Sequence, residues 1–156
     1  MERPATTIAR GNKVLTAEVE VEVPFQDADP MGVTWHGNYF RYIEVARSAL
    51  LDRLGYNYRQ MVASGFLWPV VDARIKYVRP TTFGQRVRVT ATLAEYENRL
   101  KIAYTITDVA SGDVVTEATT TQAAVHGATG EMLFVCPPVF TDRVKAALDA
   151  VGDRQK

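Results

Sequence analysis

A chain of 156 residues can bury a substantial apolar core without disulfides or metals, and one domain is the default organisation at this length. Its 18 Lys+Arg balance 18 Asp+Glu, which removes any global field for nucleic acid and leaves an anionic ligand to be met by a local cluster. Cys136 is the single cysteine, so an intramolecular disulfide and a multi-cysteine zinc site are both excluded and a reducing compartment fits best.

In chain order, residues 1–13 (MERPATTIARGNK) are polar, lack the apolar centre of a secretory signal and are expected to be flexible. No later segment approaches the ~20 unbroken apolar residues of a membrane span, so a cytoplasmic protein without a membrane partner is expected. Residues 18–23 alternate Glu with Val, which predicts a half-buried strand with Val19, Val21 and Val23 on its inner face. Over residues 38–54 the period lengthens: Phe40, Ile43, Ala46, Leu50 and Leu54 form an apolar stripe, with Arg41, Glu44, Arg47 and Asp52 elsewhere and Gly55 as a stop. This predicts one long helix. A short second helix is expected over residues 58–63, ahead of Gly65.

Beyond Gly65 the pattern is that of strands: residues 67–78 with an interruption near Pro69, residues 86–96, and residues 100–109, where Leu100, Ile102, Tyr104 and Ile106 alternate strictly. Glu97-Asn98-Arg99 and Ser111-Gly112-Asp113 read as turns, and the β-branched run 114–126 as a further long strand. Residues 132–135 are a last extended piece before Pro137-Pro138, and residues 140–151 a terminal helix. A strand, a long helix and then four or so antiparallel strands make an α+β architecture, a helix laid on a sheet, with a core over about residues 14–135. Strands 18–23 and 114–126 are the expected edges.

The densest chemistry lies at the passage from the first strand into the helix, FQDADPMGVTWHGNYFRY (residues 25–42). Asp27 and Asp29 precede a Pro-Met-Gly turn, and Trp35, His36, Asn38, Tyr39, Phe40 and Tyr42 follow it. Alone, Asp29 ahead of Pro30 reads as a turn-starting acid, Gly32 as a turn glycine, Asn38 as a helix cap and Asp27 as an acceptor that fixes the loop. Arg74, Lys76, Arg79, Arg86 and Arg88 form the densest basic stretch, read either as a solvated strand face or as phosphate contacts.

The pattern Asp27-x-Asp29-Pro30-x-Gly32-x-x-x-His36-x-Asn38-Tyr39, continued by Glu44 and Arg47 on the helix and by Tyr77-x-Arg79-Pro80, resembles the 4-hydroxybenzoyl-CoA thioesterase family over roughly residues 18–135. Ala28 and Thr34 depart from its commoner versions. The resemblance implies a hot-dog fold, an antiparallel sheet wrapped around one long central helix, in homodimers or homotetramers that pair sheets edge to edge and form active sites at subunit interfaces. It implies hydrolysis of an acyl-CoA or acyl-carrier-protein thioester, with coenzyme A as part of the substrate and no further cofactor or metal. Asp29 corresponds to the catalytic aspartate, as nucleophile or as general base, and the His36 backbone N–H to the helix-terminal donor for the thioester oxygen. Gly32, Trp35, Asn38, Arg74, Lys76 and Arg79 are the expected substrate-binding residues, with Trp35 lining an acyl pocket. A hot-dog dehydratase acting on 3-hydroxyacyl thioesters through His36 and Asp29, and a non-catalytic acyl-CoA-binding protein, are the competing readings.

Overall fold

The computed structural model describes residues 13–154. The flexibility expected of residues 1–13 therefore concerns, apart from Lys13, residues outside the described ones. Strand β1 (Thr16–Glu22) leads through a loop with short 3-10 turns into helix α1 (Tyr39–Arg53) and helix α2 (Tyr58–Ala63), the latter closed by a capping box between Asn57 and Gln60. Strands β2 (Phe66–Leu67), β3 (Val70–Tyr77), β4 (Arg86–Glu95), β5 (Leu100–Asp108), β6 (Val114–Gln122) and β7 (Val125–His126) follow, and helix α3 (Pro138–Arg154) ends the described chain.

Five strands form an antiparallel sheet in the order β1-β4-β5-β6-β3, and β2 pairs with β7 in a separate ribbon. Alternation decides the faces. Val87, Val89, Ala91 and Leu93 of β4 and Leu100, Ile102, Tyr104 and Ile106 of β5 are buried, and α1 packs on that side through Tyr39, Tyr42, Ile43, Ala46, Leu50 and Leu51. Full burial of such a side chain contributes about 1.5–3 kcal/mol, so packing, far more than helical propensity, fixes α1 on the sheet. The opposite face carries Glu18, Glu20, Arg88, Thr90, Thr105 and Thr107, as the strand register requires. None of the described helices is long and apolar enough to cross a membrane.

Several local expectations are corrected. Phe40 is 40% exposed whereas Arg47 is 6% exposed. The buried face of α1 is turned toward Tyr39 and Tyr42, and Arg47 tolerates burial because its guanidinium pairs with Glu44 and donates to Tyr58 Oη at 2.9 Å. The run 114–126 divides into β6 and β7, and β6 is an interior strand. The second sheet edge is β3, whose residues are exposed on both faces except for half-buried Ile75. Residues 132–135 make only one bridge, from Met132 to Val125. Helix α3 is longer than expected and buries Phe140, Val144 and Leu148, with the Phe140 ring 5.1 Å from Trp68 and 5.7 Å from Tyr56.

Candidate active site

The loop between β1 and α1 is bolted to the helix through Asp27. This carboxylate is 2% exposed; it accepts from Tyr42 Oη at 2.5 Å and pairs with the Arg41 guanidinium. Burial pushes its carboxyl up, but the hydrogen bonds from Arg41 and Tyr42 outweigh that and hold it below its ordinary value. The Asp27 carbonyl accepts from the Trp35 N–H at 2.8 Å and from Asn38 Nδ2 at 3.0 Å. Asn38 therefore stitches the loop together, and its side chain makes no cap bond to α1, contrary to the simplest sequence reading.

Asp29 opens the next turn. Its Oδ1 accepts from the Met31 N–H at 2.8 Å, its carbonyl from Gly32 N–H at 2.9 Å, and its own N–H donates to the Val33 carbonyl at 2.8 Å. Gly32 adopts φ +82, which is why glycine stands there; an added Cβ would meet nothing within 4 Å, so it is turn geometry, not an intruding side chain, that restricts this position. Thr34 is buried: its N–H donates to the Thr81 carbonyl at 2.7 Å and its hydroxyl meets Thr81 Oγ1 at 2.6 Å, which in turn meets Tyr39 Oη at 2.9 Å. This hydroxyl chain accounts for a polar residue at position 34.

A cavity of about 260 Å³ opens beside this turn, lined by Asp29, His36, Tyr39, Tyr77 and Arg79 among others. Tyr77 Oη donates to the His36 carbonyl at 2.7 Å, and the Tyr77 ring lies 5.2 Å from Tyr39 and 6.3 Å from the His36 ring. The backbone N–H groups of His36 and Gly37, at the start of the turn that leads into α1, have no hydrogen-bond partner among the described residues. Asp29 and His36 thus line one recess, with Gly37 next in sequence, and a carboxylate near main-chain donors is the combination needed to attack a carbonyl and to stabilise the oxyanion formed from it. The His36 ring contacts Trp35 and Tyr77 and makes no hydrogen bond to Asp29.

The remaining expected site residues are dispersed. Trp35 is half exposed and does not line the cavity; its ring lies over Gly37, where an added Cβ would come within 2.2 Å of it. Gly37 is a residue that sequence reasoning passed over, although an HGN triplet beside a tryptophan was a visible signal. Arg79 lines the cavity and donates to Asp113 Oδ2 at 3.2 Å. Arg74 and Lys76 lie on the other face of β3, Arg74 against Asp72 at 3.3 Å. Arg86 and Arg88 hold Glu20 at 3.1 and 3.0 Å. The basic stretch does not converge within one chain.

Residues 23–148 match the family model described as the thioesterase-like superfamily. The chain belongs to that superfamily. The candidate acyl-CoA thioesterase YneP of Bacillus subtilis is 39% identical over 85 residues, which cover 54% of this chain and 61% of that protein; this match spans about three fifths of YneP. Among solved structures, the DHNA-CoA thioesterase of Staphylococcus aureus is 25% identical with a TM-score of 0.75, over 90% of this chain and 95% of that one. A 4-hydroxybenzoyl CoA thioesterase variant complexed with 4-hydroxybenzoyl CoA is 15% identical with a TM-score of 0.72, over 83% of this chain and 98% of that one, and so shares the fold. The hot-dog fold is thus established, an antiparallel sheet with α1 packed on it; the superfamily is broader than the 4-hydroxybenzoyl-CoA group that the motif resembles.

Proposed function

We propose that this thioesterase-like protein hydrolyses an acyl-CoA, or acyl-carrier-protein, thioester to a free acid and a thiol. The observation that carries the reading is the recess in which Asp29 lies together with His36, whose main-chain N–H, like that of Gly37, has no partner among the described residues. The thioester oxygen sits against those donors; the Asp29 carboxylate either adds to the carbonyl carbon and expels the thiolate, leaving a mixed anhydride that water then hydrolyses to the free acid and Asp29, or takes a proton from the water that adds, after which the tetrahedral oxyanion collapses to the acid as the thiolate leaves. Coenzyme A enters only as part of the substrate, and no other cofactor takes part. The aromatic sides offered by His36, Tyr39 and Tyr77, together with the name of the Staphylococcus aureus relative, support an aromatic acyl group. A cytoplasmic location is part of the same reading.

A panel of aromatic and aliphatic acyl-CoAs with a thiol reagent tests this. Thiol release is the expected outcome; hydration or dehydration without thiol would establish a dehydratase, and saturable binding alone a binding protein. In the same assay, Arg79→Ala should raise KM for acyl-CoA several-fold and leave turnover of an N-acetylcysteamine thioester unchanged, because that substrate lacks the phosphates an arginine would hold. Arg74 and Lys76 face away from the cavity and act on a substrate only across a subunit boundary. Equal losses on both substrates would remove Arg79 from phosphate recognition.

Assembly belongs to the proposal as well. Strand β3 ends the sheet among the described residues, with Val70, Val71 and Tyr77 exposed on it and Val78 exposed just beyond it, an apolar edge that a second copy would cover. Light scattering at micromolar concentration should return a dimer or tetramer; an active monomer would overturn this.

A further inference from the structure

The peptide that joins His36 to Gly37 is held from both sides. On one side Tyr77, the last residue of β3, donates its hydroxyl to the His36 carbonyl at 2.7 Å. On the other, the Trp35 ring occupies the space where a side chain at position 37 would stand, its nearest atom 2.2 Å from an ideal Cβ. The Tyr77 ring is itself set by edge contacts to Tyr39 and the His36 ring, at 5.2 and 6.3 Å. A tyrosine hydroxyl is a proton donor at neutral pH, and burial and the neighbouring Tyr39 push that of Tyr77 further above its ordinary pKa.

A hydrogen bond to an amide oxygen has two effects on that amide. It fixes the plane of the peptide, and it draws electron density toward oxygen, which makes the N–H of the same unit a stronger donor. Here the unit is the one whose N–H belongs to Gly37, and fixing its plane also fixes the rotation of His36, whose own N–H precedes it. Both N–H groups lack a partner among the described residues. We propose that Tyr77 is a positioning residue: its hydroxyl orients and polarises the His36–Gly37 peptide so that the adjoining main-chain donors meet the oxyanion of a thioester. This rests on the thioesterase reading of the same cavity. It also gives the edge strand a part in the chemistry, since Tyr77 reaches the turn ahead of α1 across 41 positions of sequence.

The test is Tyr77→Phe, which keeps the ring and its contacts and removes the donor. Loss of one direct oxyanion donor costs about 10²–10³ in kcat, and loss of a group acting through such a donor should cost about 10-fold. KM for acyl-CoA should stay within about two-fold, because the hydroxyl acts where charge develops and not on the ground-state ester. Two non-hydrolysable ligands sharpen the measurement. A CoA trifluoromethyl ketone, which forms an oxyanion or its hydrate, should bind about 10-fold more weakly to the variant, and a CoA thioether, which has no carbonyl, equally well to both. Unchanged kcat, or a loss confined to KM, would overturn the proposal, as would equal weakening of both ligands. If the unsubstituted protein released thiol from no acyl-CoA, the thioesterase reading and this proposal would fall together; if it were active and Tyr77→Phe matched it, only the proposal would fall.

Discussion

Asp29→Asn should leave a folded protein that has lost at least ~10² of its kcat, the loss typical of removing a general base and a lower bound for removing a nucleophile. The geometry makes this substitution clean. Among the described residues, the one side-chain hydrogen bond of Asp29 is acceptance from the Met31 N–H, and an asparagine Oδ1 still accepts that bond, with the loss only of its charge assistance. The turn is otherwise built from main-chain bonds between Asp29, Gly32 and Val33, so the melting temperature should move by no more than about 2 °C. Substrate affinity should survive. His36→Ala keeps the main-chain donor and removes only the ring, so its kcat should lie between that of Asp29→Asn and the unsubstituted protein. Steady-state kinetics on one good acyl-CoA, with calorimetry on each variant, checks all of this. An Asp29→Asn enzyme with normal turnover would transfer the chemical role to another group.

Asp27→Asn should do the reverse, costing stability and sparing turnover. Asp27 is buried and serves Tyr42 and Arg41 at once, so the neutral amide leaves a buried donor poorly matched. The cost is about 1–3 kcal/mol, kept from larger values because the Arg41 side chain is 54% exposed and stays hydrated. That corresponds to roughly 5 °C in melting temperature. The pH dependence has a definite sign. The folded-state carboxyl lies below its ordinary value of 3.8, so its contribution is fully present above that pH and is lost as pH falls through the lower, folded value. The stability gap between the protein and Asp27→Asn should therefore be constant near neutrality and narrow below about pH 4. Glu20 and Asp108 are depressed as well, through Arg86 and Arg88 and through Gln85 and Ser111 respectively, so the difference between the two curves, not the acid limb itself, is diagnostic. Dead but stable Asp27→Asn beside active Asp29→Asn would exchange the two roles.

What could be read in advance was whatever is local. The alternation of β4 and β5, the extent of α2 and the turn at Glu97-Asn98-Arg99 are each set by neighbours in sequence, and each stands where periodicity placed it. The order of strands was not local: nothing in the run 114–126 reveals that β3 will pair with β6 and take the sheet edge itself. The same holds at the site. Asp29, His36 and Asn38 were conspicuous because they crowd one loop, but the contacts that give the loop its shape span 41 positions from Tyr77 to His36 and 47 from Thr81 to Thr34. Arg47 illustrates the limit from another side. It was set outside the apolar stripe, yet it is buried, paired with Glu44 on its own helix and donating to the Tyr58 hydroxyl that the next helix supplies.

The chain has two tryptophans, and the fold has put them in opposite surroundings. Trp68 is buried among Tyr56 and Phe140, its indole N–H donating to Tyr56 Oη at 3.2 Å, whereas Trp35 stands half exposed over Gly37 at the entrance to the helix. Indole emission shifts with the polarity around the ring, so the two give separate optical channels: Trp68 reports on whether the core is intact, and Trp35 on what occupies the neighbourhood of His36. Removing one indole at a time lets folding and occupancy be followed in a single cuvette without attaching a dye.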